Sequence, residues 1–226
     1  MGSCGEASGA TGVGSGVFAV KICAVFQKFV NCVKFKTLNM IGIAENKMTW
    51  REFRELEIAD DDLNIYELIN GILVKRSAPS LRHQDASGNL FYAIKSFLKE
   101  KPIGKVYSAP VDVLIDDLNA YQPDIAFVSN ERSFLIEGGD YIAGVPDLVV
   151  EVISPGSVKR DRIEKKENYE RYAVKELWFV DPQNQTVEVY VMENDAFKLH
   201  EFQEKEGPVK SLVLADFEIE IKNIFE

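Results

Sequence analysis

Beyond residue 32 this 226-residue chain has no cysteine; Cys4, Cys23 and Cys32 are all it contains. Most of the sequence therefore has neither a disulfide framework nor a thiolate zinc site, and a reducing, cytoplasmic setting is expected. Histidine is almost as scarce: His83 and His200 are too few for a histidine-rich metal centre. Basic charge is also short. The formal charge of −10 and pI of 4.9 argue against gripping nucleic acid over a broad basic surface, because neutralising phosphates takes clustered Lys and Arg. A local basic rim around an acidic cleft stays open. The apolar stretch 17–35 is broken by Lys21, Gln27, Lys28, Asn31 and Lys34, so no membrane span is expected.

What is present divides in two. Residues 1–47 open with a Gly/Ser/Ala-rich stretch and have no acid between Glu6 and Glu45. They read as an N-terminal extension outside the fold, with a targeting or membrane-surface peptide as the alternative. Residues 48–226 have the periodicity of a folded domain, and they carry 21 basic against 34 acidic residues, so the acidity belongs to the domain.

Within that domain Thr49 is placed to cap a short helix, 49–57, at the amide of Glu52. A hairpin follows with strands 65–69 and 72–77, since Asn70-Gly71 supplies the two positive-φ positions of a tight turn. Ala86, Leu90, Ala93, Ile94, Phe97 and Leu98 form the stripe of a helix over 82–100. Strands are expected at 105–115 and 124–128. Leu148–Ile153 is nearly continuous in apolar residues, as in a strand covered on both faces. Ser157 is a candidate cap for a charged helix over 158–172. Strands at 177–180, 187–192 and 198–203 and a short element near 219–225 complete an α/β fold, a mixed central sheet flanked by two principal helices.

Glu151 is the most informative residue. An ionised carboxylate inside a central strand costs several kcal/mol unless a cation or hydrogen bonds offset it. A buried ion pair with a basic residue of the next helix is the ordinary explanation. A metal ion is the other. Asp124 opens an apolar strand directly after Pro123, as a turn or capping residue often does. If its strand lies beside 148–153, the two acids can share a cleft as the hard-oxygen pair that Mg²⁺ prefers. Asp161, Lys165 and Tyr169 recur every four residues on one helix face. They form either a solvated i, i+4 pair or a face turned toward Glu151, with the lysine orienting water and stabilising phosphoryl charge. Glu67 is a candidate third carboxylate. His83, at a helix start, is a candidate acid/base or phosphate contact, or a structural histidine.

These segments together resemble the Uma2 family of restriction endonucleases, within the PD-(D/E)XK nuclease superfamily. The resemblance spans residues 48–226 and is carried by MTWREF at 48–53, YELINGILV at 66–74, SLRHQ at 80–84, QPDIAFV at 122–128 and VPDLVVEVISPGS at 145–157. The Asp161/Lys165/Tyr169 spacing, ELWFVDP at 176–182 and VEVY at 187–190 complete it.

What the resemblance implies is a restriction-endonuclease-like core and Mg²⁺-dependent hydrolysis of DNA phosphodiesters, with Mn²⁺ as a substitute ion. Asp124 then matches the acid of the PD motif and Glu151 the (D/E) position. The superfamily lysine normally stands two residues later, where this chain has Ile153, so its role passes to Lys165. Pro146-Asp147 is a second PD pair, but it lies too near Glu151 on one strand to suit the metal, and the motif is assigned to Asp124. Homodimerisation is a further expectation, since superfamily members that cut both strands often pair. The alternative function is a catalytically inactive nuclease-fold module that binds a protein partner or acts as a scaffold.

Overall fold

Residues 47–226, apart from 59–61, 63, 77 and 155–159, and with the backbone alone at 160 and 161, are described by the computed structural model. The expected N-terminal extension, the Ser157 cap and the Asp161 side chain lie outside the described residues. The short helix α1, Trp50–Arg54, starts at Thr49 in a reciprocal cap: Thr49 Oγ1 accepts from the Glu52 amide, and Glu52 accepts from the Thr49 amide. Two otherwise orphaned donors are thereby satisfied. Strands β1 (Ile65–Ile69) and β2 (Ile72–Arg76) pair antiparallel across Asn70 and Gly71, whose φ values are 53° and 78°.

Helix α2, Leu81–Glu100, is capped by the Ser80 side chain on the His83 amide and buries Ala86, Leu90, Ile94 and Leu98, the expected stripe. The single strand expected at 105–115 is two. Strand β3 (Gly104–Ser108) pairs with β6 (Ile125–Ser129), whereas β4 (Val113–Asp116) pairs with β5 (Asn119–Tyr121) and β7 (Ile142–Ala143). Pro110 has no amide hydrogen to continue a ladder, and the chain changes sheets there. Strands β8 (Leu148–Val152), β9 (Glu176–Asp181), β10 (Thr186–Glu193) and β11 (Ala196–Glu204) follow.

Two larger sheets result instead of the one that the sequence suggests. The six-stranded mixed sheet runs β11-β10-β9-β8-β6-β3, and the five-stranded sheet runs β2-β1-β5-β4-β7. A small third sheet joins β12 (Pro208–Lys210) to β13 (Glu218–Glu220), and α4, Lys222–Phe225, closes the described chain. The helix expected at 158–172 begins instead as a widened π-type turn, Arg160–Lys165, and becomes α-helical as α3 at Lys166–Arg171.

Strand alternation assigns each side chain of β8 to a layer. Leu148, Val150 and Val152 face α2 and the C-terminal segment, packing with Ile125, Phe127 and Trp178. Val149 and Ile153 face the other way, among Ile69 and Tyr121 of the five-stranded sheet and Tyr169 of α3. Glu151 lies on this second face, in the layer between the two large sheets.

Candidate active site

Glu151 is fully buried on β8, between β6 and β9 of the six-stranded sheet. The cation beside it is Lys165. Its Nζ donates to both Glu151 oxygens at 3.0 and 3.1 Å, and to Oε1 of Glu67 at 2.8 Å. The Tyr169 hydroxyl donates to Glu151 Oε1 at 2.7 Å. Glu67, Glu151, Lys165 and Tyr169 all show no exposure. The ordinary explanation for Glu151, an ion pair with the next helix, is thus present, and it extends to a second acid from the other sheet.

Local structure explains the convergence. Glu67 sits on the inward face of β1, directly opposite Val74. Lys165 ends the widened turn and Tyr169 lies one α-helical turn later, so both reach the same carboxylate. Wide turns of this type are frequent at functional sites. The Tyr169 ring packs edge-on to Tyr121 at 5.4 Å between centroids.

Burial would raise the Glu67 carboxyl, but the Lys165 ammonium and then the Arg76 guanidinium outweigh it. With hydrogen bonds from Lys165 and the Gln122 amide, they hold it below the usual carboxylate range. Glu67 is therefore ionised at neutral pH. Burial first, and then the charges of Glu151 and Glu67, push the Tyr169 phenol well above its ordinary value, so it stays a hydrogen-bond donor.

Asp124 lies one residue before β6. The nearest pair, Ile125↔Val150, places it at the β6 end that lies beside Glu151's stretch of β8. Its Oδ2 accepts from the Val152 amide at 2.6 Å, and His83 Nε2 stands 3.4 Å from the same oxygen. Asp147 of the other PD pair is engaged elsewhere. It accepts from the Ser129 amide at 2.8 Å and meets Lys175 at 2.6 Å and Arg132 at 3.5 Å. Four residues along a strand separate it from Glu151 by about 13 Å, so the pair is unsuited to one ion because the two acids are too far apart, and not, as the sequence suggests, because they are too near.

Sequence reasoning did not single out Arg76 and Gln122. Arg76 approaches Glu67 Oε1 at 3.5 Å, and the Gln122 amide donates to that oxygen at 3.0 Å. For Arg76 a signal existed: the Asn70-Gly71 turn sets Glu67 opposite Val74, which leaves Arg76 diagonal to Glu67 on one face. For a main-chain amide after a three-residue strand there was none.

A family whose description reads "Putative restriction endonuclease", Uma2, matches residues 50–222. The chain belongs to the Uma2 family. A crystal structure from Anabaena variabilis, described as "a putative nuclease belonging to DUF820", superposes with a TM-score of 0.63 at 21% identity. The match covers 79% of this chain and 97% of that one. At that identity the likeness shows the fold. No curated protein matches the chain. Among the described residues, no helix is long and apolar enough to cross a membrane.

For a Uma2 chain the acids can be asked whether they suit a divalent cation. Among the described residues, no three of His, Cys, Asp and Glu are grouped to hold a metal ion, and Lys165 stands between Glu67 and Glu151. The donor chemistry nevertheless fits. Asp124, just before β6, and Glu151, on the neighbouring β8, offer hard carboxylate oxygens. Oε2 of Glu67 is buried and accepts no hydrogen bond among the described residues, an acceptor whose desolvation nothing yet offsets.

Proposed function

We propose that this Uma2 chain is a metal-dependent endonuclease that hydrolyses DNA phosphodiester bonds. Asp124 and Glu151 would hold Mg²⁺ or Mn²⁺, with Glu67 as the third carboxylate. The observation that carries this reading is the meeting of Glu67, Glu151 and Lys165 from three separate elements in one buried layer, with Asp124 just ahead of the neighbouring strand. Family membership supports it.

When bound, the cation supplies Lewis-acid polarisation of a phosphoryl oxygen and makes bound water more acidic. The chain's own groups have separate tasks. Lys165 Nζ, already a donor to three carboxylate oxygens, orients the attacking water and stabilises the negative charge that develops on phosphorus-bound oxygen. Water forms the new P–O bond and gives up one proton to solvent, one ester P–O bond breaks, and its oxygen leaves with a proton taken from solvent. Tyr169 holds Glu151 in register. Arg76 and the Gln122 amide do the same for Glu67.

The experiment is cleavage of linear, supercoiled and branched DNA with Mg²⁺ or Mn²⁺ at low salt. Wild type is compared with Glu151→Gln and Lys165→Ala. Cleavage by wild type that chelator abolishes, and that both variants lose, is expected; equal cleavage by all three would reject the assignment. The domain's acid excess favours a second reading, a non-catalytic module for a protein partner. DNA left intact and unbound by wild type in both metals selects that reading. A duplex cut on both strands calls for two centres, so homodimerisation belongs to the proposal and is read by the mass in solution.

A further inference from the structure

We infer that His83 is a positioning residue for Asp124, fixing the carboxylate that, on the reading above, holds the cation. Along the buried face of α2 the residues are Ala86, Leu90, Ile94 and Leu98, and the same face opens with His83. A residue there that only filled space would be apolar like the rest. Instead the ring is 5% exposed, and neither ring nitrogen has a hydrogen-bond partner among the described residues. Buried polar groups left in that state call for an explanation.

The polar group the ring meets is Asp124. Nε2 lies 3.4 Å from Oδ2, the oxygen that also accepts from the Val152 amide at 2.6 Å. The Ser80 side chain caps the His83 amide and fixes where the ring departs from the helix. Oδ2 thus has one backbone donor and one imidazole beside it. Oδ1 accepts no hydrogen bond among the described residues, and it is the oxygen left for a cation. Carboxylates that ligate metals are commonly oriented by such outer partners, whose loss costs about 10–100-fold in metal affinity.

The test uses the full chain and Mn²⁺, read as the rise in unfolding temperature across a titration, which needs no cleavage. His83→Gln and His83→Met match in length and differ in the amide donor. The expected result is a half-saturating Mn²⁺ concentration raised about ten-fold or more in His83→Met and near wild type in His83→Gln. Two variants with the wild-type midpoint overturn the inference, and so do two that are weakened alike. A metal-free unfolding temperature lowered in both, with unchanged midpoints, assigns His83 to packing and also overturns it. Asp124→Asn separates this from the underlying reading. A wild type without a Mn²⁺ response, or an Asp124→Asn protein with the full response, overturns the metal site itself and the His83 role with it.

Discussion

Glu176 and Glu151 stand on adjacent strands, β9 and β8, of the same sheet, and both are fully buried. They are stabilised in opposite ways. Glu176 accepts from the Trp178 indole at 2.6 Å and from the amides of Leu212 and Val213 at 2.8 Å each. Two of those donors are main chain, and together they fasten the C-terminal segment to the sheet. Glu151 is held by side chains, Lys165 and Tyr169, and its neighbourhood contains Glu67 Oε2, which has no hydrogen-bond partner among the described residues. The lesson is that burial alone does not distinguish a structural acid from one proposed to hold a metal. A closed set of neutral N–H donors builds a joint. A lysine shared by two acids, with an acceptor left over, is the arrangement on which the proposed metal site rests.

The sharpest way to break that comparison is to remove the shared cation. Lys165→Met leaves two buried carboxylates facing each other and is expected to cost about 3–5 kcal/mol in urea unfolding, along with activity. Glu176→Ala strands the buried Trp178 indole and the part-buried amides of Leu212 and Val213, and is expected to lose about 1–3 kcal/mol while its Mn²⁺ response stays intact. A smaller stability loss with an altered metal response would dissolve the distinction. Tyr169→Phe removes one hydrogen bond from a carboxylate that Lys165 still holds, so about 1 kcal/mol is expected by the same denaturation.

The smallest effect is in pH. The folded-state value of the Glu67 carboxyl is lowered from its reference of 4.5. Its contribution to stability is therefore complete above that pH and fades as pH falls through the folded value. Acid titration of unfolding should show wild type losing more stability below pH 4.5 than Glu67→Gln does. A parallel decline in the two would contradict the ionised state of Glu67.

Much of this was legible because local chemistry and burial agreed. Asn70-Gly71 could only turn a hairpin, Thr49 with Glu52 could only start a helix, and the apolar run around Glu151 required a covered strand. The second sheet was not legible. Its strand β5 is Asn-Ala-Tyr, too short and too polar to show a period, and the run from 105 to 115 reads as continuous although its halves pair in different sheets. Within the site, Lys165 and Tyr169 followed from a four-residue spacing. The widened turn before them left no signal, since it depends on packing and not on composition. The burial of Glu67 was not legible, because hairpin acids usually face water and only the sheet stacked over the β8 face explains it.

The most direct test is a measurement of Mn²⁺ binding by calorimetry on wild type, Asp124→Asn, Glu151→Gln and Glu176→Gln. The account predicts binding by wild type and Glu176→Gln, and its loss in the other two. Equal binding by all four proteins, or binding lost only in Glu176→Gln, would contradict it.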